Sequence, residues 1–115
     1  MQRHGVKVHT RSFIVMVHVP TVASTVPTRL GVTVTRKVGN AVQRNRIKRV
    51  VREVFRRNRD LFPPADVVFV AKRDAAAVLG YDEVLRQVKG ASRALSRAGE
   101  KAAERARQRA EAETA

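Results

Sequence analysis

Hydrophobic residues near the middle of the chain repeat at the spacing of an α-helix. They stand at positions i, i+3, i+4, i+7 and i+8, which gathers them on one stripe of a helix. These residues are Ile47, Val50, Val51, Val54 and Phe55. Basic residues occupy the opposite face, at about 100° to 200° from Ile47. The pattern predicts a helix over residues 41–58 that buries its apolar stripe and exposes a basic face.

Strand patterns lie on both sides of this helix. Residues 12–19 and 66–71 are nearly continuous in apolar and β-branched side chains, which predicts buried strands. Residues 29–35 alternate between apolar and polar or small side chains, which predicts a strand with one face in the core. Its other face, which includes Gly31, is open either to a covering helix or to an extended ligand. Strand 29–35, the helix and strand 66–71 form a βαβ unit, whose strands are commonly parallel and whose crossover is usually right-handed.

Weaker patterns complete the N-terminal part. Loose alternation over residues 4–10 indicates a short edge strand. Residues 20–28 combine two prolines with small side chains, and this composition predicts a loop. We expect the loop to join neighbouring strands, most simply as a hairpin.

The C-terminal part predicts one more helix and a tail. Apolar positions between Tyr81 and Leu95 mark one face of a helix over residues 81–98. Residues 99–115 are rich in alanine and charge and contain no large apolar side chain. We expect this segment to fray or to stay disordered and not to join a core. The sequence thus predicts one domain over residues 1–98 and a charged tail over 99–115.

The length, composition and charge of the chain limit the classes of function that it can have. A chain of 115 residues is the size of one domain. The absence of cysteine excludes disulfides, thiolate zinc sites and a cysteine nucleophile. No apolar run approaches the ~20 residues that a membrane helix needs, and no secretory signal is recognisable, so we expect a cytoplasmic protein. A net charge of +14 and a pI of 11.7 indicate a polyanionic partner, with nucleic acid as the default.

The basic charge is concentrated in residues 36–59. This segment carries ten Lys and Arg against one acid, and therefore contributes +9 of the net charge of +14. Helix faces in solvent usually mix both signs, whereas here a like-charged row costs a few tenths of a kcal/mol per contact. The row consists of Arg44, Lys48, Arg52 and Arg56. Because the same helix has the best core-facing stripe, nucleic acid is favoured over a membrane surface as the partner.

The turn before the helix adds to the candidate site. Gly39 is able to adopt a positive φ, and Asn40 suits the N-cap position. Arg36 and Lys37 place two cations beside the helix N-terminus, whose free N–H groups and dipole favour phosphate. The ten acids are scattered along the chain, and no histidine has an identifiable partner. The residues therefore give little support to catalysis by this chain itself.

The segment Arg29–Phe55, RLGVTVTRKVGNAVQRNRIKRVVREVF, closely resembles the protein subunit of bacterial ribonuclease P. The family pattern KxGNAVxRNRxKRxxRE is long and specific. Its matches here are Lys37, Gly39, Asn40, Ala41, Val42, Arg44, Asn45, Arg46, Lys48, Arg49, Arg52 and Glu53. With the flanking strands and the final helix, the resemblance extends from about His4 to Leu95.

The resemblance implies an α+β fold, in which a small mixed sheet of three to four strands packs with helices. It also implies a left-handed βαβ crossover at the basic helix, against the usual rule. The family's catalyst is an RNA that uses bound magnesium to hydrolyse the phosphodiester at the mature 5′ end of transfer RNA. The protein then binds that RNA and the precursor tRNA. It has no catalytic residues, holds no magnesium with protein ligands alone, and needs neither a membrane nor an obligate protein partner.

The resemblance also implies roles for individual residues. The RNA contacts would be Arg36, Lys37, Asn40, Arg44, Asn45, Arg46, Lys48, Arg49 and Arg52. A cleft between the sheet and the helices would take the single-stranded 5′ leader, with Phe13, Val15 and Lys37 as candidate contacts. Core packing is an equally good explanation for Phe13.

One feature of the family is not matched. Its members carry an additional N-terminal helix before the segment that matches His4 and Gly5. We expect either that the sequence starts downstream of the true start or that this member lacks half of the cleft. The rival function is a structural or regulatory RNA- or DNA-binding protein, for instance a ribosome-associated one, because a basic face alone fits any such polyanion.

Overall fold

A four-stranded mixed β-sheet forms the centre of the fold in the computed structural model, which describes residues 5–20, 29–78 and 80–114. The strands are β1 (Val6–His9), β2 (Phe13–His18), β3 (Arg29–Thr33) and β4 (Asp66–Ala71). Their order in the sheet is β1-β2-β4-β3. β1, β2 and β4 pair antiparallel, and β3 pairs parallel to β4. The predicted α+β fold with a small mixed sheet is confirmed.

The predicted hairpin between β2 and β3 is wrong, because β4 lies between these two strands. β4 is apolar along most of its length and pairs on both edges, whereas β3 carries Gly31 and an exposed Arg29, as suits a strand at the sheet edge. The connecting residues 21–28 lie outside the described residues. The parallel pairing of β3 and β4 agrees with the predicted βαβ unit, and the left-handed crossover stays a prediction.

Among the described residues, three α-helices accompany the sheet: α1 (Ala41–Arg57), α2 (Tyr81–Gly90) and α3 (Ser92–Thr114). α1 matches the predicted helix over residues 41–58. The single helix predicted over 81–98 is wrong, since the chain breaks between α2 and α3 at Ala91, whose N–H bonds back to Gln87 O and Val88 O. Gly90 precedes the break and weakens helix continuation there.

The core lies on one face of the sheet. Alternate strand residues on this face are buried, and they include Val8, Phe13, Val15, Val17, Val67, Phe69 and Ala71. A chain of aromatic contacts joins the sheet to the end of α1: Phe13 to Phe69 at 5.4 Å, Phe69 to Phe62 at 6.0 Å, and Phe62 to Phe55 at 5.0 Å between ring centroids. The apolar stripe of α1 is buried as predicted, with Ile47 fully inaccessible. Its basic face therefore points away from the core.

The C-terminal segment joins this core, so the expectation of a frayed or disordered tail is wrong for the described residues. Ala98, Ala102 and Ala106 repeat every fourth residue on α3 and are 3%, 2% and 2% exposed. They pack in the same cluster as the sheet, and α3 contacts β1 and β2. Alanine loses no side-chain entropy on burial and lets a helix backbone lie close to a sheet. The sequence prediction had required large apolar residues, and small ones suffice here.

Candidate nucleic-acid interface

A capping box fixes the N-terminus of α1. The Asn40 Oδ1 atom accepts a hydrogen bond from the Gln43 N–H at 2.8 Å, and Gln43 Oε1 accepts one from the Asn40 N–H at 2.8 Å. Arg44 Nη1 donates to the carbonyl of Gly39 at 2.9 Å and holds the preceding turn against the helix. The helix N-terminus is thereby held at a defined position beside Arg36 and Lys37.

Gly39 fits this turn because it has no side chain. Gly39 does not use its ability to adopt a positive φ, because no described glycine has one. A Cβ atom at Gly39 would instead collide with the Gln43 side chain, including the Oε1 atom that completes the capping box. A larger residue would displace Gln43 and break one of the two capping bonds.

The structure brings the predicted RNA contacts together along α1 and the turn before it. Most of them are exposed, namely Arg36, Lys37, Asn40, Asn45, Arg46, Arg49 and Arg52. Arg44 and Lys48 are half-buried at the flank of the helix. Burial of Ile47, Val51 and Val54 on the opposite side fixes the rotation of α1 about its axis. The cations consequently form one surface, which we call the α1 basic face.

The charges on this face are mostly uncompensated. Glu53, the only acid in α1, pairs with Arg56 at 2.6 Å and with Arg57 at 2.7 Å, both towards the end of the helix. The hydrogen bond from Arg56 is the main reason that the pKa of Glu53 lies below its usual value. Within the described residues, no acid pairs with the remaining exposed cations Arg36, Lys37, Arg49 and Arg52. They are available to phosphate groups.

Val42 is an exposed apolar residue that the sequence prediction did not assign to the site. It is 77% exposed and is the exposed large apolar side chain among the described residues. It lies in the first turn of α1, about 220° around the axis from Ile47, and so falls on the basic face. A helical wheel could have revealed it, since Val42 stands outside the apolar stripe. An apolar side chain at this position offers packing area to a base or sugar among the phosphate contacts.

Two of the three residues assigned to the leader cleft do not line an open surface. Phe13 and Val15 are each 1% exposed and pack on the covered face of the sheet, so core packing accounts for them. Strand alternation explains the error, because the neighbouring residues Ile14 and Met16 point to the other face. Lys37 is exposed in the turn before α1.

The other face of the sheet is open in the described part of the chain. Its central side chains are half-exposed, and they are Ile14, Met16, Val68 and Val70. At one end, Arg29 forms a bidentate pair with Asp66 at 2.8 Å and 3.0 Å, and these hydrogen bonds raise the pKa of Arg29. The face combines an apolar centre with charged margins, which suits an extended chain lying across the strands.

Among residues 5–20, 29–78 and 80–114, no group of three or more His, Asp or Glu side chains could hold a metal ion. No helix in the same residues is long and apolar enough to cross a bilayer.

The α+β fold presents a basic face on a capped helix, an arrangement typical of nucleic-acid-binding proteins. The chain belongs to the Ribonuclease P family, whose model matches residues 1–99. It is 51% identical over 61 residues to the ribonuclease P protein component of Syntrophus aciditrophicus, a match over 52% of this chain and 50% of the relative. It is 42% identical over 85 residues to the same component of Geobacter sp. strain M21, covering 74% and 70% of the two chains.

A solved structure has a fold similar to that of this chain. The RNase P protein from Thermotoga maritima superposes with a TM-score of 0.67 at 28% sequence identity, over 83% of this chain and 84% of that one. This chain spans about half the length of the Syntrophus relative that it matches. The family model ends at residue 99, so residues 100–114 of α3 lie beyond the matched region.

Proposed function

We propose that this chain is the protein component of ribonuclease P, in which it binds the catalytic RNA of the enzyme through the α1 basic face. The observation that carries the proposal is the set of uncompensated cations on a helix whose position and rotation are fixed by its cap and its buried stripe. Such a surface holds several phosphates at set distances and needs little reorganisation on binding. The complex would remove the 5′ leader of precursor tRNA in the cytoplasm.

In this proposal the RNA carries the chemistry. The RNA binds the magnesium ions that support hydrolysis of the phosphodiester, and the chain has no catalytic residue. Its part is to neutralise phosphates and to hold RNA segments in their productive arrangement. The scattered acids of the chain, of which Glu53 and Asp66 pair with arginines, support this division of labour.

The 5′ leader of the precursor would lie on the open face of the sheet. The half-exposed Ile14, Met16, Val68 and Val70 provide apolar area for unstacked bases. Lys37 would approach the leader from the turn before α1. Phe13 and Val15 take no direct part because they are buried.

Reconstitution with a bacterial ribonuclease P RNA tests the proposal. At low magnesium, the chain should raise the rate of precursor tRNA cleavage, because its cations replace part of the counterion screening. Arg49→Gln should reduce this effect, whereas Arg86→Gln, an exposed helical arginine outside the α1 basic face, should not. No rise in cleavage with correctly folded wild-type protein would refute the function. Equal binding to duplex DNA at matched salt would favour a general nucleic-acid-binding protein instead.

A further inference from the structure

A groove of about 350 Å³ is formed by α3 and the turn that follows α1. One wall is the short 3₁₀ turn Arg59–Leu61, which contributes Asp60 and Leu61. The other wall is the first two turns of α3, with Ser92, Arg93, Ser96 and Arg97. Its volume is at the small end of the roughly 300–1,000 Å³ that is typical of ligand sites. The groove is separate from the open sheet face.

The α3 wall presents a repeated pair of donors. Ser92 and Ser96, like Arg93 and Arg97, are four residues apart and therefore lie on the same side of the helix, about 6 Å apart along its axis. Arg93 and Arg97 are exposed, and the described residues offer neither of them an ion pair or a hydrogen bond. A guanidinium fork and a hydroxyl beside it match the oxygens of a phosphate group.

The opposite wall disfavours a simple anion as the ligand because it carries a carboxylate. Asp60 is exposed and has no side-chain partner among the described residues, and its carboxylate would repel a free phosphate. A carboxylate instead accepts hydrogen bonds from the amino group of a base. Leu61 is half-buried between these polar groups and offers apolar contact to a ring. A ligand with a phosphate, a flat ring and an amino edge satisfies both walls.

The position of the groove indicates where such a ligand would come from. The turn Arg59–Leu61 begins two residues after α1 ends at Arg57. The exposed Arg49, Arg52 and Arg56 run along α1 in its direction. An RNA strand on the α1 basic face could therefore continue into the groove.

We propose that this groove binds one unpaired nucleotide of RNA whose base carries an exocyclic amino group. The phosphate binds to Arg93 and Arg97, and the amino group donates to Asp60. The proposal rests on the proposed function, because the nucleotide belongs to RNA bound by the α1 basic face, and it adds a second contact at the far end of that helix.

Salt dependence of RNA binding tests the phosphate contact. The full chain is titrated with a bacterial ribonuclease P RNA at several salt concentrations, and R93Q/R97Q is compared with R86Q/R107Q. The control removes two exposed helical arginines outside the groove, each paired with a glutamate of its own helix. R93Q/R97Q should lower the slope of log affinity against log salt by about 0.7, since the two arginines bind one phosphate and each single-strand phosphate contact contributes about 0.7. Equal slopes for the two folded double variants would overturn the proposal.

The wild-type result separates this proposal from the proposed function. If wild-type protein does not bind the RNA, the proposed function fails and the groove proposal fails with it. If wild-type protein binds and Arg49→Gln weakens binding, but R93Q/R97Q behaves as its control, only the groove proposal fails.

Two homopolymers test the base contact. Oligocytidine carries an amino group where oligouridine carries an oxygen, so wild-type protein should bind oligocytidine roughly fivefold more tightly at equal length. Asp60→Asn should remove or invert this preference, because a carboxamide can donate to the uracil oxygen. Equal affinity of wild-type protein for both oligonucleotides, or an unchanged preference in Asp60→Asn, would overturn the role of Asp60.

Discussion

Asn40 combines a capping role with a position on the α1 basic face, and two substitutions separate the two roles. Asn40→Ala removes the oxygen that accepts the Gln43 N–H, while the bond from the Asn40 N–H to Gln43 Oε1 survives because its donor is in the main chain. Asn40→Asp keeps an accepting oxygen at the same place. It also adds a negative charge close to Arg36 and Lys37.

The expected size of each effect follows from exposure. Asn40 is exposed, so water replaces the lost acceptor in Asn40→Ala and only the net value of an N-cap disappears, about 1 kcal/mol. For a chain of this length, that corresponds to a Tm lower by about 4 °C. Asn40→Asp should leave the Tm unchanged or raise it slightly, because a negative charge at a helix N-terminus is favourable by ~0.3–1 kcal/mol.

RNA affinity should change in the opposite order. A carboxylate roughly 4 Å from a phosphate in water costs about 1 kcal/mol, so Asn40→Asp should weaken Kd roughly fivefold. Asn40→Ala should stay within about twofold when binding is measured well below its Tm, since the helix is still formed. Thermal melts followed by circular dichroism and filter binding to the catalytic RNA measure the two effects on the same preparations.

The reasoning is refuted by either of two results. Equal destabilisation by Asn40→Asp and Asn40→Ala would show that the side-chain oxygen does not cap α1. A larger loss of RNA affinity in Asn40→Ala than in Asn40→Asp would show that the Asn40 carboxamide contacts the RNA directly and that the added charge is of little importance.

Three further predictions concern packing, recognition and pH. Gly99→Ala should destabilise the fold by ~1–3 kcal/mol in a urea titration, because its Cβ would collide with Pro63, whereas Gly90→Ala meets open space and should be neutral or slightly stabilising. Arg49→Gln should weaken RNA binding by ~1–3 kcal/mol and Arg49→Lys by less, and equal losses would point to the guanidinium shape as the requirement. Glu53 has a lowered pKa in the folded protein, so its ion pairs stabilise the fold above the usual value of 4.5 and are lost as the pH falls through the lowered pKa. The Tm difference between wild type and Glu53→Gln should therefore vanish in acid, and a constant difference would contradict the pairing.

The sequence predicted the helices and strands whose residue pattern lies within one continuous segment. The stripe around Ile47 fixed α1, and apolar or alternating segments located the four strands to within two residues at each end. The order of the strands in the sheet could not be predicted in this way, because it depends on pairing between strands that are far apart in sequence. The loop pattern of residues 20–28 indicates only that the chain turns, and it carries no information that β4 inserts between β2 and β3.

In the candidate site, too, the sequence predicted local features and missed those formed by distant segments. The α1 basic face is one helix, so charge and helical period were enough to assemble it. The groove beside Asp60 draws on two segments that are more than thirty positions apart in sequence, and no pattern links them. Phe13 and Val15 were assigned to the leader cleft and are buried in the structure, because a continuously apolar strand does not reveal which face is covered.

The bonds between α3 and the beginning of the chain have a consequence for synthesis. Arg105 donates to the carbonyl of Gly5 at 3.4 Å, and Arg109 donates to that of Val19 at 2.7 Å, contacts that join residues 100 and 90 positions apart. A ribosome makes the chain from its N-terminus, so β1 and β2 emerge long before the helix that covers them. The apolar face of β1 and β2 stays uncovered until α3 has been made, and contacts of such long range are slow to form. The nascent protein thus completes its core only after α3 has left the ribosome.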